Sequence, residues 1–305
     1  MNVVTRESVS AEVPAAMPSN STAGQKPLFT KLAAPPMIVI EPTGAWAALK
    51  LGEIWAYREL LYFLVWRDVK VRYKQTVLGV LWVIMQPLLM TIVFTIFLGK
   101  LARVPSGNTP YALLVYTGLL PWTFFSAGVT NAGNSLVGSS HLITKVYFPR
   151  MIIPLAAIGA RLVDFAIAFV ILGGMMVYYG ATITPKLVML PLFVLLLVFL
   201  ALAIGMLSSA WNVKYRDVSV VLPVVVQLLM FISPIVYSLD LVPQRWRAIY
   251  SLNPLVGVIS AFRVSLLGGN FNWSALLVSV VVTFGLLLYS AYTFRRMEKT
   301  FADIV

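Results

Sequence analysis

Cysteine is absent from this chain of 305 residues, and histidine occurs once, as His141. The first absence excludes disulfides, a thiol nucleophile and thiolate metal sites. The second leaves too few imidazoles for a His-built metal centre, so no metal and no catalytic set is expected. Charge is scarce too. Asp, Glu, Lys and Arg make up 11% of residues, against about 25% in ordinary globular domains. No G-x-x-x-x-G-K-[ST] stretch occurs, so the chain cannot cradle ATP phosphates itself.

What is present is apolar. Hydrophobic residues form 60% of the chain and mean hydropathy is +0.88. This is the composition of an integral membrane protein. A span needs about 20 predominantly apolar residues, and six segments qualify, at roughly 78–98, 111–136, 151–179, 186–211, 218–238 and 273–294. No internal repeat is visible, which disfavours a secondary transporter built on repeats. Asp164 stands nearly alone as an intramembrane carboxylate, which disfavours a proton-coupled carrier. The net charge of +12 reads as orientation signal and headgroup contact, not as a nucleic-acid footprint.

Twelve Lys and Arg flank the span ends on the side of the N-terminus, against Lys100, Arg103, Lys186, Arg245, Arg247 and Arg263 on the other. The inside-positive rule then places both termini in the cytoplasm. The outer connections carry one carboxylate, Asp240. A membrane enzyme acting on polyprenyl-phosphate sugars would want more, for base or metal work. Residues 1–45 are rich in Ser, Ala, Pro and Thr and lack an apolar signal core, which predicts a disordered cytoplasmic tail. The remainder, 46–305, is one membrane domain.

Charge crowds just before the first span, in VWRDVKVRYKQTVLGVLW at 65–82. Tyr62, Trp66, Val69 and Tyr73 share one face of a helix over about 53–75, and Arg67, Lys70 and Lys74 share another. Such a helix lies in the membrane interface and turns into the bilayer near Gln75–Thr76. It serves as a positive anchor, or as a surface for a lipid headgroup or a partner. Between spans five and six, NPLVGVISAFRVSLLGG at 253–269 holds an N-cap, a proline at the first helical position and a glycine stop. The enclosed helix, about 253–268, is too short to span and is expected to be re-entrant or interfacial. Arg263 sits in its middle, either snorkelling to the headgroups or contacting an anionic group at the outer mouth. In the third span Arg161 and Asp164 are three apart and can neutralise each other. The fold class is therefore all-α: six transmembrane helices, an N-terminal amphipathic interface helix and a short helix between spans five and six.

Several stretches, in order, resemble the membrane permease subunit of ABC-type polysaccharide exporters, which export O-antigen, capsular polysaccharide or teichoic acid. They are RDVKVRYKQTVLGVLWVIMQPL at 67–88, TGLLPWTFFS at 117–126, NSLVGSSHLITKVYFPR at 134–150, NVKYRDV at 212–218, SPIVYS at 233–238 and SLNPL at 251–255. The resemblance covers roughly 50–300; the N-terminal tail lies outside it. It implies a half-transporter: a second copy of the chain completes the path, and two copies of a separate cytoplasmic ATPase bring ATP and Mg²⁺. It also implies a coupling loop over about 138–150, with Leu142, Ile143, Lys145, Val146 and Tyr147 facing the ATPase. The interface helix becomes a gate toward a polyprenyl-diphosphate-linked glycan. Arg67, Lys70, Arg72 and Lys74 are then candidates for its phosphates, since guanidinium pairs phosphate bidentately and ammonium acts as a point charge. A sugar path wants aromatic faces with polar tips. Trp82 and Phe94, then Trp122, Phe124 and Phe125, then Phe231 and Tyr237 are the candidates. The expected cargo is O-antigen-like; the alternatives are an exporter of capsular polysaccharide, teichoic acid or small amphiphiles on the same frame and, less favoured, a membrane enzyme acting on polyprenyl-phosphate sugars.

Overall fold

The computed structural model describes residues 51–74, 79–107, 109–182, 184–298 and 301. The expected tail, the turn at Gln75–Thr76 and Lys299 lie outside these residues. Every regular element among them is helical. In order they are α1 (Leu51–Ala56), α2 (Arg58–Lys74), α3 (Val80–Phe94), α4 (Tyr111–Gly138), α5 (Ser140–Lys145), α6 (Ile152–Tyr178), α7 (Leu190–Lys214), α8 (Val218–Phe231), α9 (Gln244–Ser251), α10 (Pro254–Leu267) and α11 (Trp273–Glu298).

Five stretches are long and apolar enough to cross a membrane: Val80–Leu101, Tyr111–Gly138, Ile152–Tyr178, Pro185–Lys214 and Trp273–Glu298. They match the first, second, third, fourth and sixth expected spans. The first includes a π-helical turn over Thr95–Leu101 that carries α3 onward. The expected interface helix is two helices, α1 and α2, divided at Tyr57.

The fifth expected span, 218–238, is corrected. Its helix stops at Phe231 after 14 residues, roughly 21 Å of rise, and 232–238 are irregular. Pro234 accounts for the stop, because it brings no N–H and disfavours helical backbone at Ser233. The chain then turns through α9 into α10, which meets it at 103°. The start of α10 is the one its sequence predicts. The Asn253 side chain accepts from Leu255 N at 3.0 Å, Pro254 opens the helix, and Gly268 ends it with φ 83°.

α4 is the most enclosed span, with α7 and α6 packed along it. Small residues let α4 and α7 approach closely: a Cβ on Gly205 would lie 2.7 Å from the Ala132 methyl. Asn212 on α7 fixes their register by donating to Gly133 O and Asn134 Oδ1, both at 3.0 Å. A separate apolar cluster joins α2 through Leu64 to Ile143, Phe148, Met151, Val213, Phe294 and Phe301. It ties the interface helix, the α5 loop and the chain's last described residue into one end of the bundle. α3 and α8 are different. Leu81, Leu89 and Ile92 on α3, Phe97 in the π-helical turn that follows it, and Val220, Val224, Leu228 and Phe231 on α8, are exposed. Among the described residues, both helices leave an apolar face uncovered.

Candidate functional site

α2, α3, α4, α6 and α8 surround a cavity of about 880 Å³. Its apolar and aromatic wall includes Trp82, Met90, Leu119, Trp122, Phe124 and Phe165, and its neutral polar groups include Gln86, Thr123, Asn131 and Gln227. Among the described residues, charge enters the lining at one place, through Arg72, Arg161 and Asp164, with Tyr73 beside them.

That cluster is built across two helices. On α6, Arg161 and Asp164 lie one turn apart, and Arg161 Nη1 donates to Asp164 Oδ2 at 3.0 Å, as their spacing predicts. α2 adds two more donors. Arg72 Nη1 reaches the same oxygen at 2.5 Å, and the Tyr73 hydroxyl donates to Asp164 Oδ1 at 2.5 Å. The hydrophobic side of α2 packs Leu64 and Val65 toward α6, and this packing brings the end of α2 over Asp164. Burial pushes the Tyr73 hydroxyl above its ordinary pKa, and the bond to Asp164 pushes the same way, so the phenol stays a neutral donor at physiological pH. Arg161 Nε is buried and makes no hydrogen bond.

Other expected residues are dispersed. Of the phosphate candidates on α2, Arg72 alone faces the cavity. Arg67 pairs with its neighbour Asp68 at 2.8 Å, and Lys70 and Lys74 are exposed. Tyr62 and Trp66 are exposed as well, but Tyr73 parts from them to meet Asp164. Of the aromatic candidates, Trp82, Trp122 and Phe124 line the cavity. Phe125 is fully buried in the core beside Trp122, Phe94 packs against the same core, and Phe231 is exposed on α8. Tyr237 hydrogen-bonds the Tyr250 hydroxyl in the irregular segment. Sequence reasoning missed Tyr73 as a ligand of Asp164 and missed the neutral amides. The sequence carries no signal for Tyr73, because Arg161 and Asp164 already balance each other on α6 and Tyr73 lies 91 residues away.

Arg263 has partners other than those its position suggests. Its guanidinium neither snorkels nor faces an open mouth. Nη1 donates to Tyr237 O at 3.1 Å, and Nη2 lies 3.1 Å from Pro234 O, 2.9 Å from Ile235 O and 3.3 Å from Leu114 O. Three of these carbonyls belong to the broken segment after α8 and the fourth, Leu114 O, to α4, so the charge serves mainly the backbone of 234–237.

The expected coupling loop contains α5. Ile143 points inward to the apolar cluster, and Leu142 packs at its edge. Lys145, Val146 and Tyr147 are exposed, Tyr147 at 70%. Arg150, which ends the loop, is held from behind: its backbone N–H donates to Glu298 Oε1 at 3.0 Å, its guanidinium bonds Glu298 O, and it sits over the Phe301 ring.

With this geometry in view, residues 59–267 match the family described as ABC-2 type transporter. The O-antigen export system permease protein RfbA of Klebsiella pneumoniae is 28% identical over 250 residues, which cover 81% of this chain and 95% of that protein. A protein of the same name from Myxococcus xanthus is 27% identical over 256 residues, covering 83% and 98%. The polysialic acid transport protein KpsM of Escherichia coli is 24% identical over 234 residues, covering 73% and 89%.

Proposed function

The chain belongs to the ABC-2 type transporter family, and from that premise we propose that it is the permease half of an exporter for a lipid-linked, O-antigen-like polysaccharide. Membership makes it a multi-pass membrane transport subunit and implies an ABC ATPase as partner. The finer reading is ours. Two copies of the permease and two of the ATPase form the working unit in the bacterial cytoplasmic membrane, with both permease termini in the cytoplasm. ATP and Mg²⁺ are bound by the ATPase. The substrate is a glycan on a polyprenyl diphosphate.

The observation that carries this reading is the composition of the cavity wall. Trp82, Trp122 and Phe124 offer ring faces to sugar C–H groups, and Gln86, Asn131 and Gln227 offer amides to sugar hydroxyls. At one place the wall turns cationic, where Arg72 and Arg161 outnumber Asp164. A neutral drug-like amphiphile needs no such place; a diphosphate carrier does. The names of the relatives described above agree. The uncovered faces of α3 and α8 adjoin the cavity and suit contact with a second copy.

The test is purification of the complex from its native host in mild detergent. The expected result is a stoichiometric ATPase whose hydrolysis responds to lipid-linked glycan. Hydrolysis that responds only to small amphiphiles would move the assignment to a drug or lipid exporter. A lone chain that modifies the glycan without ATP would make it an enzyme.

A further inference from the structure

The connection from α5 to α6 is tied at its far end to the end of α11, and the tie is reciprocal. The Arg150 backbone N–H donates to Glu298 Oε1 at 3.0 Å, and the Arg150 guanidinium donates to the backbone carbonyl of Glu298. Each residue holds the other's main chain with its own side chain. The charges suit the helix ends they meet. Glu298 is the last residue of α11, where orphan carbonyls favour a cation, and Arg150 stands just before α6, where orphan N–H groups favour a carboxylate. Arg150 also sits over the Phe301 ring, 5.9 Å from its centre. Phe301 is fully buried and meets Phe294 edge to face at 5.4 Å. The other end of the connection follows directly from α4, which closes at Gly138, and residues 146–150 are irregular.

The far end of α11 is equally well held. α11 packs on α7 and α10. Against α10 it approaches to backbone contact: a Cβ on Gly257 would lie 2.1 Å from Ser279 Oγ and 2.4 Å from Ala275 O, so the two helices cannot slip past each other freely. α10 carries Arg263, which donates to the carbonyls of Pro234, Ile235 and Tyr237. Firm contact therefore runs without a gap from the exposed connection at one end of the bundle to the broken segment after α8 at the other.

We propose that Arg150, Glu298 and Phe301 are positioning residues that carry movement of the α5–α6 connection into α11, and through α10 to the segment 232–238. The inference rests on the ATPase partner proposed above and adds the route by which its movement reaches the far side of the bundle. A push on the exposed edge at Lys145 and Val146 reaches α4 and α6 along the chain itself. It reaches α11 through apolar packing and through this tie. Apolar packing is non-directional and lets surfaces slide. Two charge-assisted bonds to main-chain atoms have fixed geometry and do not. The tie therefore makes α11 follow the connection, and α10 and the carbonyls on Arg263 follow α11.

The experiment uses the assembled permease–ATPase complex in nanodiscs, with ATP and orthovanadate to hold the ATPase closed. The chain has no cysteine, so one spin label per permease can be placed at Leu241→Cys, an exposed position just beyond the segment. The distance between the labels of the two copies should change on trapping. Glu298→Ala removes the acceptor of the Arg150 N–H, and Arg150→Leu removes the guanidinium. Each should abolish most of that change while ATP hydrolysis and co-purified ATPase stay near wild type. Export per ATP hydrolysed should fall at least about fivefold, the lower end of coupling between distant sites. Glu298→Gln keeps an oxygen acceptor and should restore both readouts.

A full-sized distance change in both Glu298→Ala and Arg150→Leu overturns the proposal, as does the lack of any change in the wild-type complex. Hydrolysis, co-purified ATPase and distance change that fall together in one proportion also overturn it, because a tie needed only for folding behaves that way. If the wild-type permease brings no ATPase, the partner reading falls and the route falls with it. If the ATPase is present but answers to small amphiphiles in place of glycan, only the substrate class falls, and the label distances still decide the role of the tie.

Discussion

Arg263 Nη2 stands 2.9 Å from the carbonyl oxygen of Ile235, and Gly118 of α4 makes room for the pair. A Cβ on Gly118 would lie 2.1 Å from that oxygen and 2.7 Å from Nη2. The broken segment after α8, the helix α10 and the second span thus meet at one guanidinium. In a bilayer protein, irregular backbone persists only where its polar groups are satisfied, and here one side chain satisfies several of them.

Replacing Arg263 by Leu should leave the carbonyls of Pro234, Ile235 and Tyr237 without this donor. Each buried, unpaired group costs about 1–3 kcal/mol, so a total loss of about 2–4 kcal/mol is expected after relaxation. Arg263→Lys keeps the charge but not the fork, and should recover part of it. Thermal unfolding of the purified protein reads the effect. A melting temperature for Arg263→Leu equal to that of wild type would sink this account.

Gly118→Ala should be damaging although it adds one methyl group. The space is taken by backbone, which gives less readily than a side chain, and overpacking typically costs about 1–3 kcal/mol. Gly285 on α11 supplies the control. A Cβ there meets nothing within 4 Å, so Gly285→Ala should be neutral or stabilise by about 0.5–1 kcal/mol through helix propensity. Equal melting temperatures for the two variants would contradict the crowding described here.

Hydropathy made five full spans legible, because length and apolar composition decide which segments suit a bilayer. The ends of α10 were legible for a local reason: Asn253, Pro254 and Gly268 act on their own neighbours. The end of α8 was not. SPIVYS is apolar enough to extend a span, and its irregular backbone depends on Arg263, some thirty residues on, and on Gly118 in another helix. The site divided in the same way. The Arg161–Asp164 pair follows from spacing on one helix. Arg72 and Tyr73 join it from 92 and 91 residues away, a relation that periodicity cannot express. Aromatic content pointed to the cavity wall, but it could not separate Trp122 from Phe125, which are three apart on α4 and pack together, although only Trp122 borders the cavity.

The exposed edge of the α5 loop should carry the contact with the ATPase. Val146 and Tyr147 are exposed, while Ile143 anchors the loop from inside. Val146→Asp or Lys145→Glu should reduce co-purified ATPase several-fold and leave the permease's melting temperature within about 1–2 °C of wild type, as surface substitutions do. Ile143→Ala should lower the melting temperature instead, by a core-truncation loss of about 2–4 kcal/mol. Retention of full ATPase by both surface variants would remove this loop from the interface.

Trp82 and Trp122 both face the cavity, yet they should fail differently when truncated. Trp82 is 58% exposed on α3, whereas Trp122 is 5% exposed and packs against Phe125 at a ring separation of 5.9 Å. Trp122→Ala removes core volume and should destabilise the protein by about 3–5 kcal/mol, so its loss of transport reports folding as much as recognition. Trp82→Ala removes little packing and should leave stability near wild type. If ring faces bind sugar, Trp82→Ala forfeits contacts of about 0.5–1.5 kcal/mol, which predicts a roughly two- to tenfold fall in export rate. Trp82→Phe should restore most of that rate, because it returns a ring, while Trp82→Leu should not, because it returns apolar area alone. Export of full-length glycan in cells, normalised to the amount of permease in the membrane, is the measurement. Equal rescue by Phe and Leu would show that Trp82 contributes only bulk to the wall, and the sugar path would then have to run along other residues of the cavity.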